Sequence, residues 1–354
     1  MSRFFSDKYK ALTPYTPGEQ PRDMQYIKLN TNESPFPPSP NGLRMAAEAA
    51  ANLQLYSDPL CRDLVKQAAE VFQVAEDEIL FGNGSDEILN FAFMAFCDAD
   101  HPAVFPDISY GFYKVFAALN GIPYEEIPLQ EDFTISPEAY CGIHKTIVIA
   151  NPNAPTGIAL SRDTIEEIVK SNPNNVVVID EAYVDFGGES VIPLIHKYEN
   201  LLVTGTFSKS RSLAGGRLGF AIGCSDLIRD LNTIKYSTNP YNVNRMTMAA
   251  GVGTLLDEAY TKENCQKIIK TREWTVSQLK AIGFTLTDSK ANFIFAKHPK
   301  ADGKEIYLRL KQKGVLIRHF DTPRLCQYNR ITIGSQAQME VFLEKLNEVL
   351  EELL

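Results

Sequence analysis

One lysine, Lys209, stands in the run TGTFSKSRSLAGGRLGF (Thr204 to Phe220), among hydroxyls, glycines and arginines. Thr206 and Ser208 offer hydroxyl donors, Arg217 a planar cationic fork matched to phosphate, and Gly215 and Gly216 room for a ligand against the backbone. A solvated surface lysine needs none of these neighbours. A lysine amine beside a phosphate-sized set of donors is suited to condense with the carbonyl of a small phosphorylated molecule.

Asp180 closes the apolar run VVVID, so its carboxylate sits at the end of a strand that should be buried. Without a partner that charge is costly. Two partners would satisfy it. One is an arginine or a helix N-terminus; the other is the protonated nitrogen of a pyridine ring, which then acts as an electron sink, as in pyridoxal phosphate (PLP) chemistry. GNGSDEIL (82–89) lacks the third glycine of a dinucleotide turn. A helix opening after Gly84 still leaves Ser85 and the N–H of Asp86 free to seat a phosphate, although plain helix capping would use the same residues. Tyr110, in SYGFY, serves either the core or a stack on a flat ligand. Asn151 and Asn153 in NPNAPTG, and Tyr183 in DEAY, lie at further strand ends.

The elements that must position these residues are short. AVFPD, KTIVIANPN, NVVVIDEAY, NLLVTGTFSK and GRLGFAIG are β-branched and aliphatic, as strands buried on both faces of a mainly parallel sheet are. SRDTIEEIVKSN, capped by Ser161, and SDLIRDLNTIKY carry apolar residues at helical spacing between them. The alternation predicts an α/β sheet with helices on both sides, and ligands bind beyond the carboxyl ends of such strands. Pro-rich residues 13–42 read as an extended arm, with a helix opening at Leu43. After about residue 265 the strand-like GFTLTD, ANFIFAK, GVLIRHF and NRITIG, with helices at KEIYLRLKQKG and at the C-terminus, predict a smaller α+β domain. The expected division is an arm at 1–42 that joins the small domain, a large domain at 43–264 and a small one at 265–354.

Length and composition agree with this. A chain of 354 residues, 44% hydrophobic and 22% charged, has room for one large and one smaller core. Its net charge of −9 opposes general binding to nucleic acid or anionic membrane. The 6 cysteines lack metal or redox spacing and the 5 histidines form no ligand cluster, so free thiols and no metal are expected. No run reads as a signal peptide or membrane span, and the expected location is the cytoplasm.

Taken in order, LTPYTPG, LNTNESPFPPSP, LYSDP, GNGSDEIL, SYGFY, NPNAPTG, VVVIDEAYVDF, TFSKSRSLAGGRLGF, PYNVN, ANFIF, GVLIRHF and NRITIG resemble the fold-type I PLP-dependent aminotransferases over nearly the whole chain. Within them the closest pattern is the histidinol-phosphate subfamily. The resemblance implies a homodimer with shared sites that moves an amino group between L-glutamate (leaving 2-oxoglutarate) and a phosphorylated amino alcohol, as in histidine biosynthesis. A threonine-phosphate decarboxylase or a broad or aromatic aminotransferase on the same scaffold is the alternative.

By matching position, Lys209 would hold PLP and move a proton, Asp180 would bind the ring nitrogen and Tyr183 the ring's phenolic oxygen, and Tyr110 would stack on the ring. Gly84, Ser85, Asp86 (through its N–H), Thr206, Ser208 and Arg217 would surround the phosphate, with Tyr56 reaching in from the neighbouring subunit. Arg330 would grip a carboxylate, Arg318 and Tyr15 a second anion, and Asn32 and Asn292 would close over the substrate. Relatives carry asparagine before Pro-Thr-Gly, bonded to the phenolic oxygen. Here that position is Ala154. Asn153 or water supplies the donor instead, or Tyr183 acts alone.

Overall fold

The computed structural model describes residues 2–354. Thirteen strands run in chain order: β1 Ile27–Lys28, β2 Ile79–Gly82, β3 Ala103–Pro106, β4 Tyr124–Ile127, β5 Thr146–Ala150, β6 Val177–Asp180, β7 Leu201–Thr206, β8 Gly219–Gly223, β9 Thr285–Leu286, β10 Phe293–Lys297, β11 Val315–Leu316, β12 Arg318–His319 and β13 Asn329–Thr332. The α-helices are α1 Pro40–Ala50, α2 Arg62–Phe72, α3 Ser85–Phe96, α4 Phe112–Asn120, α5 Arg162–Ser171, α6 Ser225–Thr238, α7 Arg245–Leu256, α8 Glu258–Ala281, α9 Gly303–Gln312 and α10 Gln336–Leu353.

Seven strands form one sheet in the order β2-β8-β7-β6-β5-β3-β4. Only β8 runs against its neighbours, β2 and β7; every other pairing is parallel. The middle strands are apolar at every position because both faces are covered. Ile147, Ile149, Val177, Ile179, Leu201 and Val203 point into one core, while Val148, Val178 and Leu202 point into the other with α3 and α4. Each such side chain contributes roughly 1.5–3 kcal/mol by burial.

A second, antiparallel sheet, β12-β13-β10-β9, packs with α8, α9 and α10 around Ile294, Ile331, Met339, Phe342 and Leu346. The arm joins this core. β1 pairs in parallel with β11, and Leu29 is buried among these residues. GVLIRHF therefore holds two short strands, Val315–Leu316 paired with the arm and Arg318–His319 paired with β13. One expected helix start shifts, and one expected domain boundary lies within a helix. α1 begins at Pro40, earlier than Leu43, because Ser39 caps it by accepting from the Gly42 N–H at 3.0 Å. The expected boundary at 264/265 falls inside α8, a continuous helix of 24 residues. Ser161 caps α5 as its sequence predicts, accepting from the Thr164 N–H.

Candidate active site

The carboxyl ends of β2, β3, β5, β6 and β7 face one cavity of about 950 Å³, and the arm and the second sheet supply its other walls. Because β8 is antiparallel, its first residue meets the ends of its neighbours: Gly219 lies opposite both Gly82 and Thr206. Arg217, two residues before it, is thereby delivered to the same rim. A Cβ on Gly219 would sit 2.2 Å from the backbone nitrogen of Ser85, so only glycine lets the start of α3 lie this close.

Lys209 follows β7 and lines the cavity. Its Nζ donates to the Thr31 carbonyl at 3.1 Å and lies 5.9 Å from the centre of the Tyr183 ring. Burial, then the charge of Arg330, pushes the amine down to about 8, with Glu33 and Asp86 opposing. A large fraction is thus a neutral nucleophile near pH 8. Asp180, the last residue of β6, is 4% exposed and also faces the cavity. Burial pushes its carboxyl up to about 6 against two donors: Tyr113 Oη at 3.0 Å on Oδ2 and Thr204 Oγ1 at 3.3 Å on Oδ1.

Tyr113 is absent from the residues expected for the site. An aromatic on the core face of α4 reads as packing, and its spacing three residues after Tyr110 was the one available signal. Tyr113→Phe removes a donor to a buried carboxylate, which costs about 1–3 kcal/mol when the group is ionised. The loss in thermal midpoint of the cofactor-free protein is expected to be larger at pH 8 than at pH 5, where Asp180 is mostly protonated. An equal loss at both would mean that the bond does not bear on ionisation.

At the other end, α3 starts at Ser85 after Gly84, whose φ is +83°. A Cβ on Gly84 would meet Arg217 Nη2 at 2.5 Å. Ser85, Thr206 and Ser208 line this end, with Thr206 Oγ1 donating to Ser208 Oγ at 3.0 Å. The expectation for Asp86 concerned its N–H. Its carboxylate proves to be a bridge, accepting from Tyr110 Oη at 2.6 Å and from Arg217 Nη2 at 2.7 Å. Burial first and Asp86 second push the Tyr110 phenol up, so it stays a neutral donor.

Arg330, on β13, donates to the Asn30 carbonyl at 2.9 Å, while its Nε is buried without a partner. Burial lowers its guanidinium, with Tyr183 and Tyr15 opposing. Tyr15 stacks on Phe112 at 4.2 Å and lines the same wall. Arg318 donates to the carbonyls of Pro17 and Thr16 at 3.3 and 3.4 Å. Arg324 and Lys114, not anticipated from sequence, add positive charge to the lining.

Four expected residues lie off the cavity wall. Gly84 acts through the turn. Asn153 is fully engaged, its Nδ2 donating to the Ile108 carbonyl at 3.0 Å and to Thr156 Oγ1 at 3.1 Å, and its Oδ1 accepting from Ser109. It does not supply the donor missing at Ala154. Asn292 is fully buried and holds the Asn32 carbonyl at 3.0 Å, so it does not reach a substrate. Tyr56 is 80% exposed and stacks on Tyr241 at 4.7 Å, away from the cavity of its own chain. Asn32 lines the wall, but its side chain is bonded to Tyr183 and Thr332.

A planar, phosphorylated pyridine aldehyde suits this donor set. Hydroxyls, a helix N-terminus and a guanidinium stand at one end, and a buried acid and an amine of lowered basicity line the same cavity. Among the described residues no three His, Cys, Asp or Glu side chains converge as a metal site. Fold and site together define an α/β transferase of fold type I.

The chain belongs to the class I and II aminotransferases, whose family model matches residues 24–346. It is 49% identical to the histidinol-phosphate aminotransferase of Brachyspira hyodysenteriae, over 99% of this chain and 100% of that one. It is 46% identical to that of Clostridium botulinum over 100% of both. The solved histidinol-phosphate aminotransferase of Sinorhizobium meliloti in complex with pyridoxal-5'-phosphate superposes with a TM-score of 0.90 at 25% identity, covering 100% of this chain and 99% of that one.

Proposed function

We propose that this chain is a PLP-dependent aminotransferase that converts imidazole-acetol phosphate and L-glutamate to L-histidinol phosphate and 2-oxoglutarate, the transamination of histidine biosynthesis. The observation that carries the chemistry is that Lys209, an amine of lowered basicity, and Asp180, a buried acid, line one cavity. The relatives of 46–49% identity support the substrate. When bound, PLP supplies an aldehyde that exchanges amino groups and a ring that accepts the electron pair left when a proton is removed.

The residues divide the remaining work. Lys209 Nζ anchors the cofactor and carries the proton taken from the amine-bearing carbon of the substrate. Asp180 holds a positive ring nitrogen. Tyr183 donates to the phenolic oxygen, and Tyr110 covers the ring. Ser85, the Asp86 N–H, Thr206, Ser208 and Arg217 seat the phosphate at the start of α3. Arg330 takes the glutamate carboxylate in one half-reaction, and with Arg318 and Tyr15 takes the substrate phosphate in the other.

Tyr56 completes the phosphate seat from a second copy, so the working unit is a homodimer. The exposed aromatic pair Tyr56 and Tyr241 favours that reading. We divide the chain into an arm (1–42), a PLP-binding domain (43–264) and a small domain (265–354), with α8 common to both. No helix among the described residues is long and apolar enough to cross a membrane. The free thiols suit a reducing compartment, and we place the enzyme in the cytoplasm.

Substrate choice is tested by adding histidinol phosphate, threonine phosphate or phenylalanine to the PLP-loaded protein. Conversion to the pyridoxamine spectrum with the first alone is expected; release of CO₂ from the second would select a decarboxylase. Arg330→Gln is expected to lower kcat/KM for glutamate by about a hundredfold, since losing a buried charge partner costs roughly 3 kcal/mol. An unchanged value would remove the carboxylate clamp.

A further inference from the structure

Asn32 has a left-handed backbone, with φ of +56°, a conformation that asparagine tolerates better than most residues with a Cβ. Its polar groups are all engaged. Its N–H donates to Thr332 Oγ1 and its Oδ1 accepts from the same hydroxyl, each at 3.0 Å. Its carbonyl accepts from Asn292 Nδ2 at 3.0 Å, and its own Nδ2 donates to Tyr183 Oη at 3.0 Å. Thr332 fixes which way the carboxamide faces, so the amide N–H is aimed at the phenol. Thr332 also lies two residues past Arg330 on β13, on the same face of the strand.

A phenol oxygen that accepts from an amide must point its own proton elsewhere. Tyr183 lines the cavity, with Lys209 Nζ 5.9 Å from the centre of its ring. Burial raises the Tyr183 phenol above its ordinary value and keeps it protonated, while Arg330 and the donation from Asn32 act against that rise, so the amide makes the neutral hydroxyl a stronger donor than it would be without it. Ala154 belongs, with Ala291 and Phe293, to the apolar cluster that Tyr183 packs against and has no polar side-chain atom, while Asn153 has spent both amide protons elsewhere.

We propose that Asn32 is a positioning residue acting through Tyr183: its amide aims the phenol proton at the phenolic oxygen of the cofactor and strengthens that donation, replacing a donor that Ala154 cannot provide. The proposal rests on the PLP reading above. Arg330, Lys209, Asp180, Asp86, Tyr15, Tyr110 and Tyr113 are the titratable groups around Tyr183, and all stay in place in the variants below.

The test follows the visible absorption of the PLP-loaded protein with pH. A strong donor to the phenolic oxygen lowers the pH at which the lysine-bound chromophore loses its proton. Asn32→Gly keeps the left-handed backbone and its N–H and carbonyl bonds, and it is expected to raise that midpoint by about half to one pH unit. Asn32→Asp can still accept from Thr332 but turns an acceptor on the phenol, and is expected to raise the midpoint further. Thr332→Val, which frees the carboxamide without touching Asn32, is expected to shift it less and in the same direction. In a Tyr183→Phe background neither Asn32→Gly nor Thr332→Val should move it, while Asn32→Asp keeps only the part of its shift that its added charge causes. Unchanged midpoints in the single variants, or equal shifts of Asn32→Gly and Thr332→Val in the Phe background, overturn the proposal. A wild-type protein that takes up no PLP overturns the cofactor reading and this proposal with it.

Discussion

Lys209→Ala is expected to leave a folded protein that takes on no lysine-bound absorption band when PLP is added, with turnover lower by about ten-thousandfold or more. The size follows from two losses at once. A positioned base contributes roughly a hundred- to ten-thousandfold, and the covalent anchor goes with it. The fold should survive, because the bond lost is one donation to the Thr31 carbonyl, and burial already disfavours the charged amine. Lys209 has a folded value near 8 against 10.5 unfolded, so its burial destabilises the cofactor-free protein fully below pH 8 and progressively less as the pH rises to about 10.5. Lys209→Ala should therefore raise the thermal midpoint of that protein at pH 7 more than at pH 10. A variant that keeps the band and near-normal turnover would mean that another residue holds the cofactor. Borohydride reduction followed by peptide mapping would then show which one.

The chemistry at the strand ends was legible because burial constrains those strands so tightly. In VVID every position is buried and in LLVTGT every position but the last, so a polar residue at the end must answer to something in the cavity. Arg217 was legible as a cation near Lys209, but its route was not, since that depends on β8 running backwards through the sheet. Other features leave no local mark. β4, YEEI, is an edge strand with two exposed residues and carries the charges of a loop. β1 is two residues long and exists only because β11 lies beside it.

Asn32 and Asn292 were expected to close over the substrate, and the structure engages both with neighbouring residues instead. Both read as polar residues free to meet a substrate, whereas each is buried and spent on other residues. Whether a buried asparagine faces a ligand or a neighbour depends on contacts 150 to 300 residues away in the chain. Spacing within a motif cannot report such contacts. The same reason hid Tyr113 and the carboxylate of Asp86, whose partners come from other elements.

Asp180→Asn is expected to retain PLP while lowering turnover about a thousandfold, the scale on which removal of one preorganised charge-stabilising group acts in a site shielded from water. Asparagine keeps the shape and can still meet Tyr113 and Thr204, but it carries no charge to hold a proton on a ring nitrogen. The cofactor-free protein should respond in the opposite sense. Asp180 has a folded value near 6, above its ordinary 3.8, so its contribution to stability is complete below about pH 4 and lost as the pH rises through 6. At pH 8 the wild type buries an ionised carboxylate with two donors, and Asp180→Asn should then raise the thermal midpoint; near pH 4 the gain should vanish. Adding PLP restores a cationic partner to the wild type alone and should reverse the order of the two midpoints at pH 8. Stability and rate thus change in opposite directions at one position, as expected of an acid kept in a costly place for its charge. Near-normal turnover in Asp180→Asn, or a cofactor-free protein destabilised at pH 8, would mean that the carboxylate serves the fold and not the ring.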